Sequence, residues 1–136
     1  MRVIGIIQAR MGSSRLPGKV FADICGRSLL SRLIDRVSCV NIIDKLIVAT
    51  TTEKQDDEIV DWCASKKIAS FRGSSNDVLG RFWQCAQRYE PDLIVRLTAD
   101  DPLKDPEIVE HAIRLFNNDK TLDYVSNTIY PTFPEG

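Results

Sequence analysis

Short unbroken apolar runs alternate along this chain with stretches of helical periodicity. Val3-Ile4-Gly5-Ile6-Ile7 is the first run, and it predicts a strand over Val3 to Gln8. A loop reaches Lys19, a short segment covers Val20 to Ile24, and Cys25-Gly26-Arg27 forms a turn. Ser28 is placed to cap a helix from Leu29 to about Val40, because Leu29, Leu30, Leu33, Ile34 and Val37 keep helical spacing. Leu46-Ile47-Val48-Ala49 marks a second strand, Lys45 to Thr50, apolar enough to be covered on both faces. A helix over Gln55 to Lys67 turns Ile59, Val60, Cys63 and Ala64 inward. A short third strand spans Ala69 to Arg72, and Gly73-Ser74-Ser75-Asn76-Asp77 is a loop ending in a capping residue. The next helix, Val78 to Tyr89, uses Val78, Leu79, Phe82, Trp83 and Ala86, and Pro91 stops it. Leu93 to Leu97 is the fourth strand. Asp105 followed by Pro106 opens a helix carrying Ile108, Val109, Ala112, Ile113 and Phe116, and Tyr124 to Ser126 is expected as a fifth strand.

Strands and helices alternating at this pitch predict an α/β domain: a Rossmann-like, three-layer αβα arrangement around a mainly parallel, doubly wound sheet. Such sheets bind ligands beyond the carboxyl ends of their strands, where the strand order reverses. The candidate site therefore draws on Arg10 to Lys19, Thr50 to Thr52, Gly73 to Asp77 and Thr98 to Asp101.

Composition narrows the function classes. With 136 residues the chain is one domain with room for a core, and a formal net charge of −1 excludes a broad basic face for nucleic acid. Positive charge must act locally. The four cysteines, Cys25, Cys39, Cys63 and Cys85, form no C-x-x-C pair and signal neither zinc nor redox chemistry. Cys63 and Cys85 fall on apolar helix faces as small hydrophobes. Without a signal peptide or a membrane-length apolar run, a reducing, cytoplasmic compartment and no membrane partner are expected.

That local charge lies in Gln8-Ala9-Arg10-Met11-Gly12-Ser13-Ser14-Arg15-Leu16-Pro17-Gly18-Lys19. A strand opening into a glycine- and serine-containing loop with three cations suits phosphate. Backbone N–H groups turn inward as an anion nest, Arg10 and Arg15 offer planar forks, and Lys19 offers a point charge. The spacing is neither that of a P-loop nor G-x-G-x-x-G. After the fourth strand, Thr98-Ala99-Asp100-Asp101-Pro102-Leu103 places two carboxylates side by side. Their repulsion is offset by a cation or by hydrogen-bond donors: the plain reading is a pair of solvated aspartates in a loop approaching a helix, and the functional one is Mg²⁺, commonly held by one or two carboxylates plus substrate phosphates. Arg81 and Arg96 are weaker candidates, with an exposed helix arginine the plainer reading for Arg81. Gln55, Asp56 and Asp57 read as a helix start. His111, the only histidine, lies off its helix's apolar stripe and leaves no base for serine or cysteine catalysis.

The order Q-A-R-M-G-S-S-R-L-P-G-K closely resembles the signature of the sugar-activating cytidylyltransferases, which include the CMP-sialic acid and CMP-KDO synthetases, and is nearest to the spore coat polysaccharide branch. The resemblance runs through the whole chain. It implies a fold of the nucleotide-diphospho-sugar transferase type and a reaction that moves a nucleotidyl group from CTP to an acidic sugar, releasing pyrophosphate. It implies Arg10, Lys19 and Asp100 as the catalytic set, with Gln8, Ala9, Gly12, Ser13, Arg15 and Thr98 completing the nucleotide site. Main-chain groups of Gln8 and Ala9 would read the base. The family's D-[DE]-P-L segment maps its metal-binding aspartate onto Asp100, with Asp101 in a lesser role. Where the family often has S-G-T-D-R, this chain has Gly73-Ser74-Ser75-Asn76-Asp77 followed by Val78, which leaves the sugar open. Family members are longer. The resemblance thus implies an incomplete enzyme whose continuation past Gly136 would complete the sheet, supply a homodimer arm and bring a second acidic metal ligand. The rival readings are a nucleotide-sugar-dependent glycosyltransferase and a non-catalytic nucleotide-binding module.

Overall fold

A computed structural model of the chain describes residues 1–128, 130 and 131. Strand β1 spans Val3–Gln8, and a two-residue hairpin, β2 (Asp23–Ile24) with β3 (Arg27–Ser28), leads into helix α1 (Leu29–Val37). Then follow β4 (Lys45–Thr51), α2 (Asp57–Ser65), β5 (Ala69–Gly73), α3 (Val78–Tyr89), β6 (Leu93–Thr98) and α4 (Pro106–Asn118). The four long strands pair in parallel in the order β5-β4-β1-β6. The chain winds outward from β1 through β4 to β5, then crosses back to place β6 on the other side of β1. The order therefore reverses between β1 and β6, and in sheets of this kind such a reversal is where a crevice forms beyond the carboxyl ends.

Helices α1, α3 and α4 each start where a side-chain oxygen meets an orphan N–H group, whereas α2 has no side-chain cap. Ser28 accepts from Ser31 N at 3.2 Å, Asp77 from Gly80 N at 2.8 Å, and Asp105 from Glu107 N at 2.8 Å with Pro106 in the first turn. α1 ends before Val40, because tight turn bonds from Cys39 N to Arg36 O and Val40 N to Val37 O swing Val40 into the core. α2 is shorter than its periodicity suggests at both ends. Lys54–Asp56 is a separate 3₁₀ turn, and Lys67 at φ 58° closes the helix with Ile68 N bonded to Cys63 O.

Two apolar layers sandwich the sheet. On one face Val3, Ile7, Val48 and Leu97 pack against Leu30, Leu33 and Val37 of α1, Ile59 and Cys63 of α2, and Val109 and Ile113 of α4. On the other, among the described residues, Ile4, Ile6, Ile47 and Ala49 meet α3 through Phe82 and Cys85. Ile94, on the β6 side of that second face, stays 39% exposed.

Three expectations are corrected. The inner stripe of α3 is Val78, Phe82, Cys85 and Tyr89, with Arg81 beside it, while Leu79 and Trp83 are 81% and 59% exposed. The helix is rotated by about one position from the stripe drawn through its large apolar residues. In α2, Ala64 faces solvent, and Trp62 is the half-buried residue, its ring 5.8 Å from that of Phe21. Tyr124 to Ser126 forms no strand, for no neighbouring strand pairs with it among the described residues. The turn-rich end, Tyr130 to Gly136, lies largely outside the described residues. No helix among the described residues is long and apolar enough to cross a membrane.

Candidate active site

The register between β1 and β6 sets Gln8 opposite Thr98, so the two loops of interest leave the sheet side by side. Ala99 N donates to Gln8 O at 3.0 Å, and Ala9 N donates to Ala49 O at 3.1 Å. These bonds occupy two of the main-chain groups that the sequence offered to a base. What remains is the Gln8 side chain, whose enclosed Oε1 has no partner among the described residues.

The loop from Arg10 to Lys19 pivots on Met11. The Met11 carbonyl accepts from both Ser13 N and Gly18 N at 2.9 Å, which folds the loop back on itself, and Gly18 takes φ 70° to allow it. The N–H groups of Gly12, Ser14 and Arg15 find no backbone acceptor among the described residues. They are free for an anion. Ser13 and Gly12 are half-buried, while Arg10 and Arg15 are exposed.

Sequence reasoning missed the residue that holds this loop in place. Asp56, read there as part of a helix start, is 1% exposed. Its Oδ1 accepts from Met11 N at 2.7 Å, and its Oδ2 accepts from the Thr51 hydroxyl. A carboxylate accepting two donors inside the protein is a strong, geometrically fixed anchor. No periodicity or motif marks it, since its partners stand on a different strand and a distant loop.

Lys19 and Asp100 come together at the crevice, with Nζ 3.5 Å from Oδ2. Burial pushes the Asp100 carboxyl up. Hydrogen bonds from the Thr98 hydroxyl and its own backbone N–H, and the charge of Lys19, outweigh that and hold it below the ordinary carboxylate value. Its side chain is 56% exposed. Asp101 points elsewhere: its Oδ2 lies 2.5 Å from Lys104 Nζ, and the side chain is 13% exposed. Among the described residues no three histidine, cysteine or acidic groups converge. The donor set thus fits a divalent cation held by Asp100 and completed by substrate phosphates, the usual Mg²⁺ arrangement. Asp101 can join only by releasing Lys104.

Arg81 is not the exposed helix arginine that its position suggested. It is fully buried, and none of Nε, Nη1 and Nη2 has a hydrogen-bond partner among the described residues. Arg96 is exposed on the open face of β6, its guanidinium 5.6 Å from the centre of the Phe82 ring. His111 is exposed, and its side chain has no hydrogen-bond partner or ion pair among the described residues. A concavity of about 320 Å³ lies at the opposite, amino ends of β4 and β5 among Val40, Asp44, Lys45 and Lys67, and no reactive set converges there among the described residues.

Most of the chain is similar to known proteins. The family model described as Cytidylyltransferase matches residues 4–135. An uncharacterized protein of Methanocaldococcus jannaschii is 44% identical over 93% of this chain and 51% of its own length. The spore coat polysaccharide biosynthesis protein SpsF of Bacillus subtilis is 37% identical over 92% of this chain and 54% of its own. The solved structure of a cytidylyltransferase from Leptospira borgpetersenii superposes with a TM-score of 0.83 at 37% identity, covering 88% of this chain and 50% of that one. The chain spans about half the length of the curated relatives it matches.

Proposed function

The chain belongs to the cytidylyltransferase family, and from that premise we propose that it carries the nucleotide-binding and metal-binding half of an enzyme that transfers CMP from CTP to a sugar. The observation that carries this reading is the meeting of Lys19 and Asp100 at the strand-order reversal, beside a loop with unpaired N–H groups. A cation for phosphates and a carboxylate for a metal stand within one hydrogen-bond length of each other. That juxtaposition suits a nucleoside triphosphate with its divalent ion.

In the proposed reaction a sugar hydroxyl attacks the α-phosphorus, the bond to the β-phosphate oxygen breaks, and pyrophosphate leaves. Positioning and charge neutralisation supply most of the rate. Arg10, Lys19 and the free N–H groups of the loop hold the phosphates. Ser13 and Arg15 add secondary contacts, and Gln8 offers its unpaired Oε1 to the exocyclic amine of cytosine. Mg²⁺, held by Asp100, supplies Lewis-acid polarisation of the phosphate when bound. Thr98 and Lys19 keep the Asp100 carboxylate ionised and oriented for it. CTP as donor, an acidic sugar as acceptor, Mg²⁺ as metal, a role in surface or spore coat polysaccharide synthesis, a cytoplasmic location and a homodimer in the longer protein belong to the same proposal.

The deciding experiment is a screen of nucleoside triphosphates against a panel of acidic sugars, read by pyrophosphate release. Release that requires CTP, Mg²⁺ and a sugar supports the reading. Retention of CTP without pyrophosphate, even when the chain is extended to the length of its relatives, would make it a binding module. Release of free nucleoside diphosphate from a nucleotide sugar would make it a glycosyltransferase. The 136-residue chain itself is expected to bind CTP–Mg²⁺ but turn over slowly. With Asp100 as the one acidic ligand placed for it among the described residues, a metal would be loosely held, and a misplacement of ~1 Å costs on the order of a hundredfold in rate.

A further inference from the structure

The inner face of α3 is apolar except at one position. Val78, Phe82, Cys85 and Tyr89 pack on the sheet, and Arg81 is enclosed among them with no exposed surface. A guanidinium carries five N–H donors, and enclosing it without acceptors is among the costliest arrangements a protein can hold. Here all three nitrogens lack a partner among the described residues. Nor is the placement an accident of a flexible stem. A Cβ on Gly73, the last residue of β5, would lie 2.8 Å from Arg81 Cγ and 3.3 Å from its Cα, so the strand end is shaped around the arginine. The two charged groups that act on it are Arg10, which repels it, and Asp56, which attracts it. Asp56 lies inside and already holds the loop, whereas Arg10 is exposed and free to swing. Two guanidinium groups that repel each other, one of them enclosed without an acceptor among the described residues, lack an anion.

We propose that Arg81 is an oxyanion ligand of the nucleotide site: a phosphate oxygen of the bound nucleotide enters between Arg81 and Arg10 and provides the acceptor that the protein itself withholds. The proposal rests on the reading of the Arg10–Lys19 loop as a phosphate site. Arg10 and Arg81 together clamp the anion with planar, two-pronged hydrogen bonds. In the unliganded protein Arg81 is a liability, and with nucleotide bound it is a contact.

That double character gives the test. Arg81→Met keeps the length and removes the charge. Unfolding midpoints without ligand, and calorimetric titrations with CTP–Mg²⁺, inorganic tripolyphosphate and gluconate, would be compared between wild type and variant. The expected result is an unliganded midpoint no lower than wild type, raised by on the order of 4 °C, together with affinity for CTP and tripolyphosphate weakened at least about tenfold. Arg81→Lys should recover only part of that affinity, since it restores the charge but not the fork. A lower unliganded midpoint, or failure to fold, would make Arg81 the structural counter-ion of Asp56 and overturn the proposal. So would unchanged tripolyphosphate affinity at any midpoint. Loss of gluconate binding with CTP retained would assign the site to an acceptor carboxylate instead. If wild type binds neither CTP nor tripolyphosphate, the phosphate-loop reading falls, and this inference with it.

Discussion

Lys19 Nζ stands 3.5 Å from Asp100 Oδ2 although 81 residues separate them in sequence. The contact joins the loop after β1 to the loop after β6, and it is at the long limit of a hydrogen bond. A tight pair would compete with ligands. This loose one can release Lys19 to a phosphate and Asp100 to a metal at little cost.

Lys19→Ala and Arg10→Ala should therefore damage binding and spare the fold. Each loses a charge-assisted phosphate contact of roughly 1.5–3 kcal/mol, whereas exposed or half-exposed loop cations contribute less than ~1 kcal/mol to stability. Calorimetric titration with CTP alongside thermal unfolding checks both halves. Unchanged affinity in the two variants would remove the phosphate assignment from the loop.

The two neighbouring aspartates should separate cleanly. Asp100→Asn is expected to abolish the Mg²⁺ dependence of nucleotide binding and turnover with little change in stability, because the side chain is exposed. Asp101→Asn is expected to cost about 1 kcal/mol of stability by weakening the half-buried pair with Lys104. Titrating Mg²⁺ into each variant with CTP present measures the first effect, and urea unfolding the second. A metal response lost in Asp101→Asn and kept in Asp100→Asn would reverse the assignment.

Asp56→Ala should be the most damaging change near the site. It strands Met11 N and the Thr51 hydroxyl, and leaving such groups unsatisfied costs about 3 kcal/mol. CTP affinity should fall as well, since the loop loses its anchor. Asp56→Asn, which keeps the shape and one acceptor, should lie between. Equal urea midpoints for wild type and Asp56→Ala would mean that the loop holds itself.

The thiols offer a pH test. Burial pushes both Cys63 and Cys85 from 9.0 up to about 11. The folded state then keeps its thiol protons more tightly than the unfolded chain. This stabilisation is complete below about pH 9 and is lost as pH rises toward 11. At pH 8 a thiol reagent should modify the exposed Cys25 and Cys39 quickly and the buried pair only after unfolding. Four thiols reacting together in the folded protein would contradict the burial.

Much of this was legible from residue order. Apolar runs located β1, β4 and β6 to within a residue or two, because buried parallel strands leave a local trace. Ser28, Asp77 and Asp105 announced their helices for the same reason: a cap acts within three residues. The order of the first loop singled out Arg10 and Lys19 as candidates and the adjacent carboxylates singled out Asp100, and the structure brings Lys19 beside Asp100. Asp56 and Arg81 were not. Asp56 gains its role from Met11, 45 residues away, and Arg81 was disguised by a helix whose largest apolar residues, Leu79 and Trp83, point outward. The short segment at Tyr124 carried strand-like residues but no neighbour to pair with, which only the sheet order reveals.

Among the described residues of this 136-residue chain, β6 lies at the end of the sheet order, and for the chain by itself that position has a kinetic meaning. Its backbone is held by one ladder, to β1, among the described residues, whereas β1 and β4 are each held by two. Edge strands open most readily in native-state fluctuations. Asp100 and Thr98 travel with β6, while the loop that carries Arg10 and Lys19 is tied to β1 and to Asp56. Transient fraying of one ladder would thus disassemble the metal side of the crevice and leave the phosphate side standing. Amide exchange should show this asymmetry directly, with Leu93–Thr98 exchanging before Val3–Gln8, and nucleotide with Mg²⁺ should close the gap between them.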